Sequence, residues 1–293
     1  MKSLKLIILA AAALTACNTT GLQPNTTKTI TIDANIAQTK LSVSGNDAAF
    51  EPGDQISLYA WINDPTTGQP VERVVDGEVN VLMSSGSWVP EKSMLWYDMV
   101  TPHYFIGIYP VRTVADLHAG EYTLDPTDQA ASDLLIATNL KGLTANNDPV
   151  VLTFEHAMAK LYVNLKFRSQ WDGTPTVSSV VATAAKTATV NFETQTVTAG
   201  AAASVSLPDL QTVAKGYALS YASLMVPQTG FKTLTVTIDG TEFVYTHSAA
   251  IPLSSGKTTT INLTVGRDKI ELASDISIKG WIDDVILDGE AQD

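Results

Sequence analysis

Thr29-Ile30-Thr31-Ile32-Asp33-Ala34-Asn35-Ile36 alternates without a break. Ile30, Ile32, Ala34 and Ile36 point one way; Thr29, Thr31, Asp33 and Asn35 point the other. A period of two over eight residues is the signature of a strand with one buried face. The same pattern recurs downstream. Ile56, Leu58, Ala60 and Ile62 repeat it, as do Leu161, Val163, Leu165 and Phe167, with Lys160, Tyr162, Asn164 and Lys166 assigned to the outer face. Leu234, Val236 and Ile238 lead into Asp239-Gly240 and then Phe243 and Tyr245, which predicts a two-residue hairpin link with positive φ at both turn positions. Ile261, Leu263 and Val265 form a further strand after Ser255-Gly256. Threonine falls mostly on the outward positions, as an exposed sheet face prefers.

Helical periodicity is almost absent; only a short turn near Ser132-Asp133-Leu134-Leu135 is expected. No strand–helix–strand alternation appears, so a doubly wound parallel sheet is not expected. The predicted class is all-β, with two tandem antiparallel β-sandwich domains. The turn-rich cluster Asn146-Asn147-Asp148-Pro149 marks the expected boundary, giving domains over 29–149 and 150–293. Ala199 to Ala203 reads as a loop in the second.

The 293 residues carry 18 Lys plus Arg against 30 Asp plus Glu, a net charge of −12. That balance argues against nucleic acid as a partner, because phosphate contacts need clustered cations. Apolar residues at 45% and charged residues at 16% exclude a disordered chain. A single cysteine excludes an intramolecular disulfide framework and a cysteine-based zinc site.

That cysteine has a particular address. Met1-Lys2-Ser3-Leu4-Lys5 is followed by an apolar run from Leu6 to Leu14 and then Thr15-Ala16-Cys17. A basic start, an apolar centre too short to span a bilayer and a small-residue cut site form a signal peptide over 1–16. Leu14-Thr15-Ala16-Cys17 matches a bacterial lipobox, so Cys17 is the expected acylation site. Residues 17–28, rich in Thr, Asn, Gly and Pro, read as a tether between lipid and fold.

Catalytic signals are missing. There is no Gly-x-Ser-x-Gly elbow, Walker loop or His-Glu-x-x-His. His103, His118, His156 and His247 are scattered. The Glu155-His156 pair lacks a nucleophile or second carboxylate beside it, so His156 is read as structural. Asp283, Asp284, Asp288, Glu290 and Asp293 lack the spacing of a calcium loop. Neither enzyme activity nor a metal or cofactor is expected. Trp61, Trp88, Trp96, Trp171 and Trp281 are the candidate sugar-stacking residues. Trp61 leads them because it sits on the face opposite Ile56, Leu58 and Ala60.

A resemblance gathers these segments. The lipobox, the strand Thr29–Ile36 and Phe50-Glu51-Pro52-Gly53-Asp54-Gln55-Ile56 resemble the opening of Bacteroidales fimbrillin-like proteins. The likeness continues in order through Trp96 and His103-Tyr104-Phe105-Ile106-Gly107-Ile108-Tyr109-Pro110. It then runs through Ser132–Ala137, Leu152–Leu161, Met225-Val226-Pro227-Gln228-Thr229 and Ile276-Ser277-Ile278-Lys279-Gly280-Trp281. The resemblance implies two transthyretin-like β-sandwiches and a fimbrial subunit or adhesin exported as a lipoprotein. Its partners would be other fimbrial subunits, of the same or another kind. Outer-membrane lipid would hold it through Cys17, and ligands on host or bacterial surfaces are further candidates.

In that family a protease removes the first strand and a neighbour's strand fills the gap. Carried onto this sequence, the removable strand holds Ile30, Ile32, Ala34 and Ile36, and the cut falls between Lys40 and Leu41. The usual arginine is replaced here by Lys40. Either a lysine-tolerant protease acts, or the subunit keeps its lipid as a base or anchor. The donor strand would come from Asp275–Leu287, with Ile276, Ile278, Val285 and Leu287 as its apolar residues. The alternative function is a glycan-binding surface lipoprotein.

Overall fold

The computed structural model describes residues 24–37, 49–68 and 70–280. Cys17, Lys40, Leu41, Trp281, Val285 and Leu287 lie outside the described residues. The first half contributes β1 (Ile32–Ile36), β2 (Gln55–Trp61), β3 (Arg73–Leu82), β4 (Trp88–Pro90), β5 (His103–Tyr109), β6 (Gly120–Thr123), the single-turn α1 (Gln129–Ser132), β7 (Leu135–Leu143) and β8 (Val150–His156). Next come β9 (Ala159–Phe167), β10 (Val177–Ala185), β11 (Thr187–Asn191), β12 (Thr196–Ala199), β13 (Ala202–Ser206) and β14 (Leu219–Met225). The chain continues with β15 (Gln228–Ile238), β16 (Thr241–Leu253), β17 (Lys257–Val265), β18 (Ile270–Leu272) and β19 (Ser277–Gly280). The fold is all-β. The Asp239-Gly240 link is a two-residue turn with φ of 48° and 77° joining Ile238 to its partner Thr241, as the sequence predicts.

Seven strands form the N-terminal sheet in the order β1-β8-β7-β5-β2-β3-β4. The sheet rolls until its two edges meet: the Trp88 indole N–H on β4 donates to the Ala34 carbonyl on β1 at 3.4 Å. Inside the roll lie Ile56, Leu58, Trp88, Trp96, Phe105, Leu152 and Phe154. Gly107 is required there, because a Cβ at that position would stand 2.5 Å from Phe154 Cζ. In the C-terminal sandwich the sheet β13-β10-β15-β16 accompanies β14-β9-β17-β18, with β19 also on β17. Val180, Leu234 and Val236 share one core with Leu161, Val163, Ile261 and Leu263.

Four expectations are modified. First, two pairings are parallel, β1 with β8 and β9 with β17, within otherwise antiparallel sheets. Second, the turn Asn146–Pro149 lies inside the seven-stranded sheet, since β8 after it pairs back onto β7 and β1. The halves also interlock, because β6 of the first pairs with β11 of the second. Third, Tyr162 and Asn164, assigned outward, are buried. Asn164 is satisfied by Asn262 Oδ1 at 2.8 Å and by the Ser220 hydroxyl at 2.6 Å, a polar ladder across β14, β9 and β17. Fourth, Ala202 and Ala203 of the expected loop lie in β13.

Trp61 is the largest correction. It is fully buried. The face of β2 opposite Ile56, Leu58 and Ala60 is covered as well: Tyr59 and Trp61 pack with Ile106, Ile108, Tyr122 and Phe192 in the larger core. A central strand covered on both faces has no outward side, so Trp61 cannot offer its ring to a sugar. Trp96 is equally enclosed and Trp88 nearly so. One face of the half-buried Trp171 is occupied by the Arg267 guanidinium, 5.1 Å from the ring centre.

Candidate functional site

The candidate site is the seat of the N-terminal segment. Residues 25–30 run antiparallel to 94–97: Asn25 N–H donates to Tyr97 O at 2.7 Å, Trp96 N–H to Lys28 O at 3.0 Å and Ile30 N–H to Met94 O at 2.9 Å. The chain then changes partner. β1 runs parallel to β8 in the register Ile32↔Val150 through Ile36↔Phe154. Ile30 and Ile32 are buried, and Ala34 and Ile36 are half-buried against the same core, while Thr31, Asp33 and Asn35 are exposed. The alternation predicted for this strand is therefore the one observed.

The seat beneath it is aromatic. Phe50 meets the rings of Trp88, Phe154 and Tyr109 edge-on at centroid distances of 5.1, 5.3 and 5.4 Å. Trp96 meets Phe105 at 5.6 Å. Edge-to-face contacts of this kind add to the burial energy of the rings themselves. They give the seat a shape that does not depend on β1 alone. A parallel partner cannot be reached by a tight turn. No hairpin therefore joins β1 to β8, and β1 can leave without breaking one.

One side chain fastens the segment. The Asp148 carboxylate accepts from Thr31 N–H at 2.7 Å and from the Thr31 hydroxyl at 2.8 Å, and it pairs with the Lys28 ammonium at 3.5 Å. Asp148→Ala removes a charged acceptor from two donors, a change of about 1.5–3 kcal/mol. Amide exchange at residues 30–36 is expected to quicken in that variant. Lys28→Ala, which loses only a surface ion pair, is expected to change stability by less than about 1 kcal/mol. Equal exchange in wild type and Asp148→Ala would remove Asp148 from this role.

At the same end, His103 holds the turn that follows 94–97. Its Nε2 accepts from Tyr97 N–H at 3.0 Å, and its Nδ1 lies 2.8 Å from Thr101 O. That arrangement requires a neutral ring with the proton on Nδ1, and burial lowers the His103 pKa in the same sense. The other histidines serve separately: His118 Nε2 lies 2.8 Å from Glu193, His156 Nδ1 lies 2.9 Å from Asp133, and His247 bonds a backbone carbonyl. Among the described residues, no group of three or more His, Cys, Asp or Glu is gathered as metal ligands would be.

The candidate donor stretch begins on its own domain. β19 lies antiparallel on β17, with Thr259 opposite Ile278 and Thr260 opposite Ser277. Ile276 packs against the core, whereas Ile278 is exposed. These two residues therefore do not share one buried face here.

The model of the fimbrillin-like family matches residues 39–281, starting just past β1. Comparison with curated protein sequences finds no match. Among solved structures, the chain is similar to a cell adhesion protein from Bacteroides uniformis (TM-score 0.61, 20% identity, 87% of this chain and 100% of the other). It is also similar to one from Bacteroides ovatus (TM-score 0.64, 18% identity, 87% and 98%). A third is the C-terminally truncated tip fimbrial protein Mfa3 from Porphyromonas gingivalis (TM-score 0.53, 11% identity, 86% and 99%). At these identities the structures speak for the shared fold, while the family match spans most of the sequence: the chain belongs to the fimbrillin-like family.

Proposed function

We propose that this protein is a structural subunit of a surface fimbrium, or a related adhesin, exported as a lipoprotein acylated at Cys17 and assembled by strand exchange. Proteolysis between Lys40 and Leu41 frees β1, and a neighbour's C-terminal stretch occupies the emptied seat. The observation that carries this reading is the placement of β1: an edge strand, tied by no hairpin, lying over an apolar trench between β8 and β4. A sheet edge above an apolar groove is a template for an incoming strand. Head-to-tail insertion does not close on itself and so builds a filament.

The experiment is to determine the mature N-terminus of protein taken from cells, together with the oligomeric state of purified protein clipped by trypsin near Lys40. A start at Leu41 and a ladder of oligomers after clipping support a polymerising subunit. An acylated Cys17 on the mature chain marks a retained anchor at the base of a fimbrium. Clipped protein that stays monomeric with its seat empty would defeat the exchange mechanism.

A further inference from the structure

The end of the N-terminal sandwich from which the tether departs carries an apolar tip. Three segments emerge there. Trp61 pairs with Tyr104, so the link after β2 and the turn before β5 emerge at one end of the sheet. Leu143 pairs with His103 and Ile32 with Val150, which brings the start of β1 to that same end. Two of these segments hold Val100, 76% exposed, Val71, 66% exposed, and Met99, 44% exposed. Val100 and Val71 are the two most exposed large apolar residues among those described.

The tip is built rather than loose. Asp98 Oδ1 accepts from Val100 N–H at 2.8 Å and Thr101 N–H at 2.6 Å, and Asp98 Oδ2 accepts from the Thr101 hydroxyl at 2.7 Å. Asn63 Oδ1 accepts from both Val71 and Glu72 N–H at 3.2 Å. Polar side chains hold the loop backbone by these local bonds, and the apolar side chains are left exposed.

Where the chain goes next decides what covers them. Asn25 is bonded directly to Tyr97, the residue before the Asp98 turn. The span from Cys17 to Asn25 reaches at most about 28 Å at ~3.5 Å per residue. A lipid on Cys17 therefore holds Asn25, and with it this end of the molecule, within that reach of the bilayer. The strand registers bring mixed charges to this end, Asp64, Glu72, Asp98 and Asp148 with Lys28, Arg73 and Lys141. That rim does not suit a strongly anionic surface; it suits zwitterionic headgroups.

We infer that Val71, Met99 and Val100 form a membrane-contacting tip, which seats the lipid-anchored subunit upright on a zwitterionic phospholipid interface. A lipobox cysteine carries more than one acyl chain and so anchors by itself; small apolar insertions of this kind fix how the body sits on the interface. The inference rests on the proposed acylation of Cys17, and its test separates the two.

Acylated full-length protein, its modification verified by mass, is placed in phosphatidylcholine–phosphatidylethanolamine vesicles containing spin-labelled lipid. Acylation leaves no native free thiol, so Val100→Cys carries a fluorophore at one site. Val244→Cys, on the exposed face of β16, is the control. Quenching at position 100 is expected to exceed that at 244 by about threefold or more, since interfacial apolar groups enter the headgroup boundary. Adding Met99→Asp and Val71→Asp to the labelled chain should bring the two positions level. Equal quenching in verified acylated protein overturns the tip. A shielded label that responds to protein density but not to spin-labelled lipid overturns it too, and names a second copy as the occupant. A chain that carries no acyl group refutes the anchor instead.

Discussion

A chain truncated to begin at Leu41 is expected to lose the cooperative unfolding of its N-terminal sandwich and to recover it when a peptide spanning Thr29–Ala37 is added. Truncation removes Ile30 and Ile32 from the core and frees the β8 edge, whose partners are Thr31–Ala37. Each buried isoleucine contributes about 1.5–3 kcal/mol. Their joint loss is a large share of the ~5–15 kcal/mol that holds an ordinary domain together. Peptide at about one hundred times its Kd should restore ~2.7 kcal/mol by mass action. A peptide carrying Ile32→Asp should fail, because the carboxylate would be buried unpaired beside Val150 and Leu152. The measurement is thermal unfolding with and without each peptide. A truncated chain that melts like the intact one and ignores the peptide would mean that β1 is dispensable and its seat no receptor.

The second large effect is expected at Trp61. Trp61→Ala should cost about 3–5 kcal/mol, the range for emptying a buried aromatic site. Trp61→Phe should cost much less, since it keeps a six-membered ring in the site and removes an indole N–H that has no hydrogen-bond partner among the described residues. Urea denaturation of the two variants separates them. The contact with Tyr104, 5.9 Å between ring centres, and the shared core of Tyr59, Ile106 and Ile108 are what the alanine variant loses. A Trp61→Ala protein as stable as wild type would restore the tryptophan to the list of surface residues.

These residues also mark how far sequence reading reaches. The inward set of β1 was legible because a half-buried edge strand imposes a strict period of two, and Thr31, Asp33 and Asn35 face solvent as that period demands. The Asp239-Gly240 hairpin was legible because its geometry is local: two positive φ angles in adjacent residues. Asp148 was not legible as a latch. It stands 117 residues from Thr31 in the chain, and nothing local in Asn146–Pro149 distinguishes a fastening carboxylate from a turn residue. That same cluster reads as a break in the chain, but a break does not say whether the next strand returns to the previous sheet. β8 does return.

Sequence alone determined the β class, the strand that alternates at the start, the hairpin turns and, through the family's ordered motifs, the kind of protein this is. Those features rest on neighbouring residues and their periodicity. Tertiary structure decided that β1 runs parallel to β8, that Trp88 closes the roll over Ala34, that β2 is covered on both faces and that Met99 and Val100 are exposed in the turn that follows Tyr97, the partner of Asn25. Each of these depends on which distant segments pack together, and a period of two records only that a strand has two sides, not what lies against either.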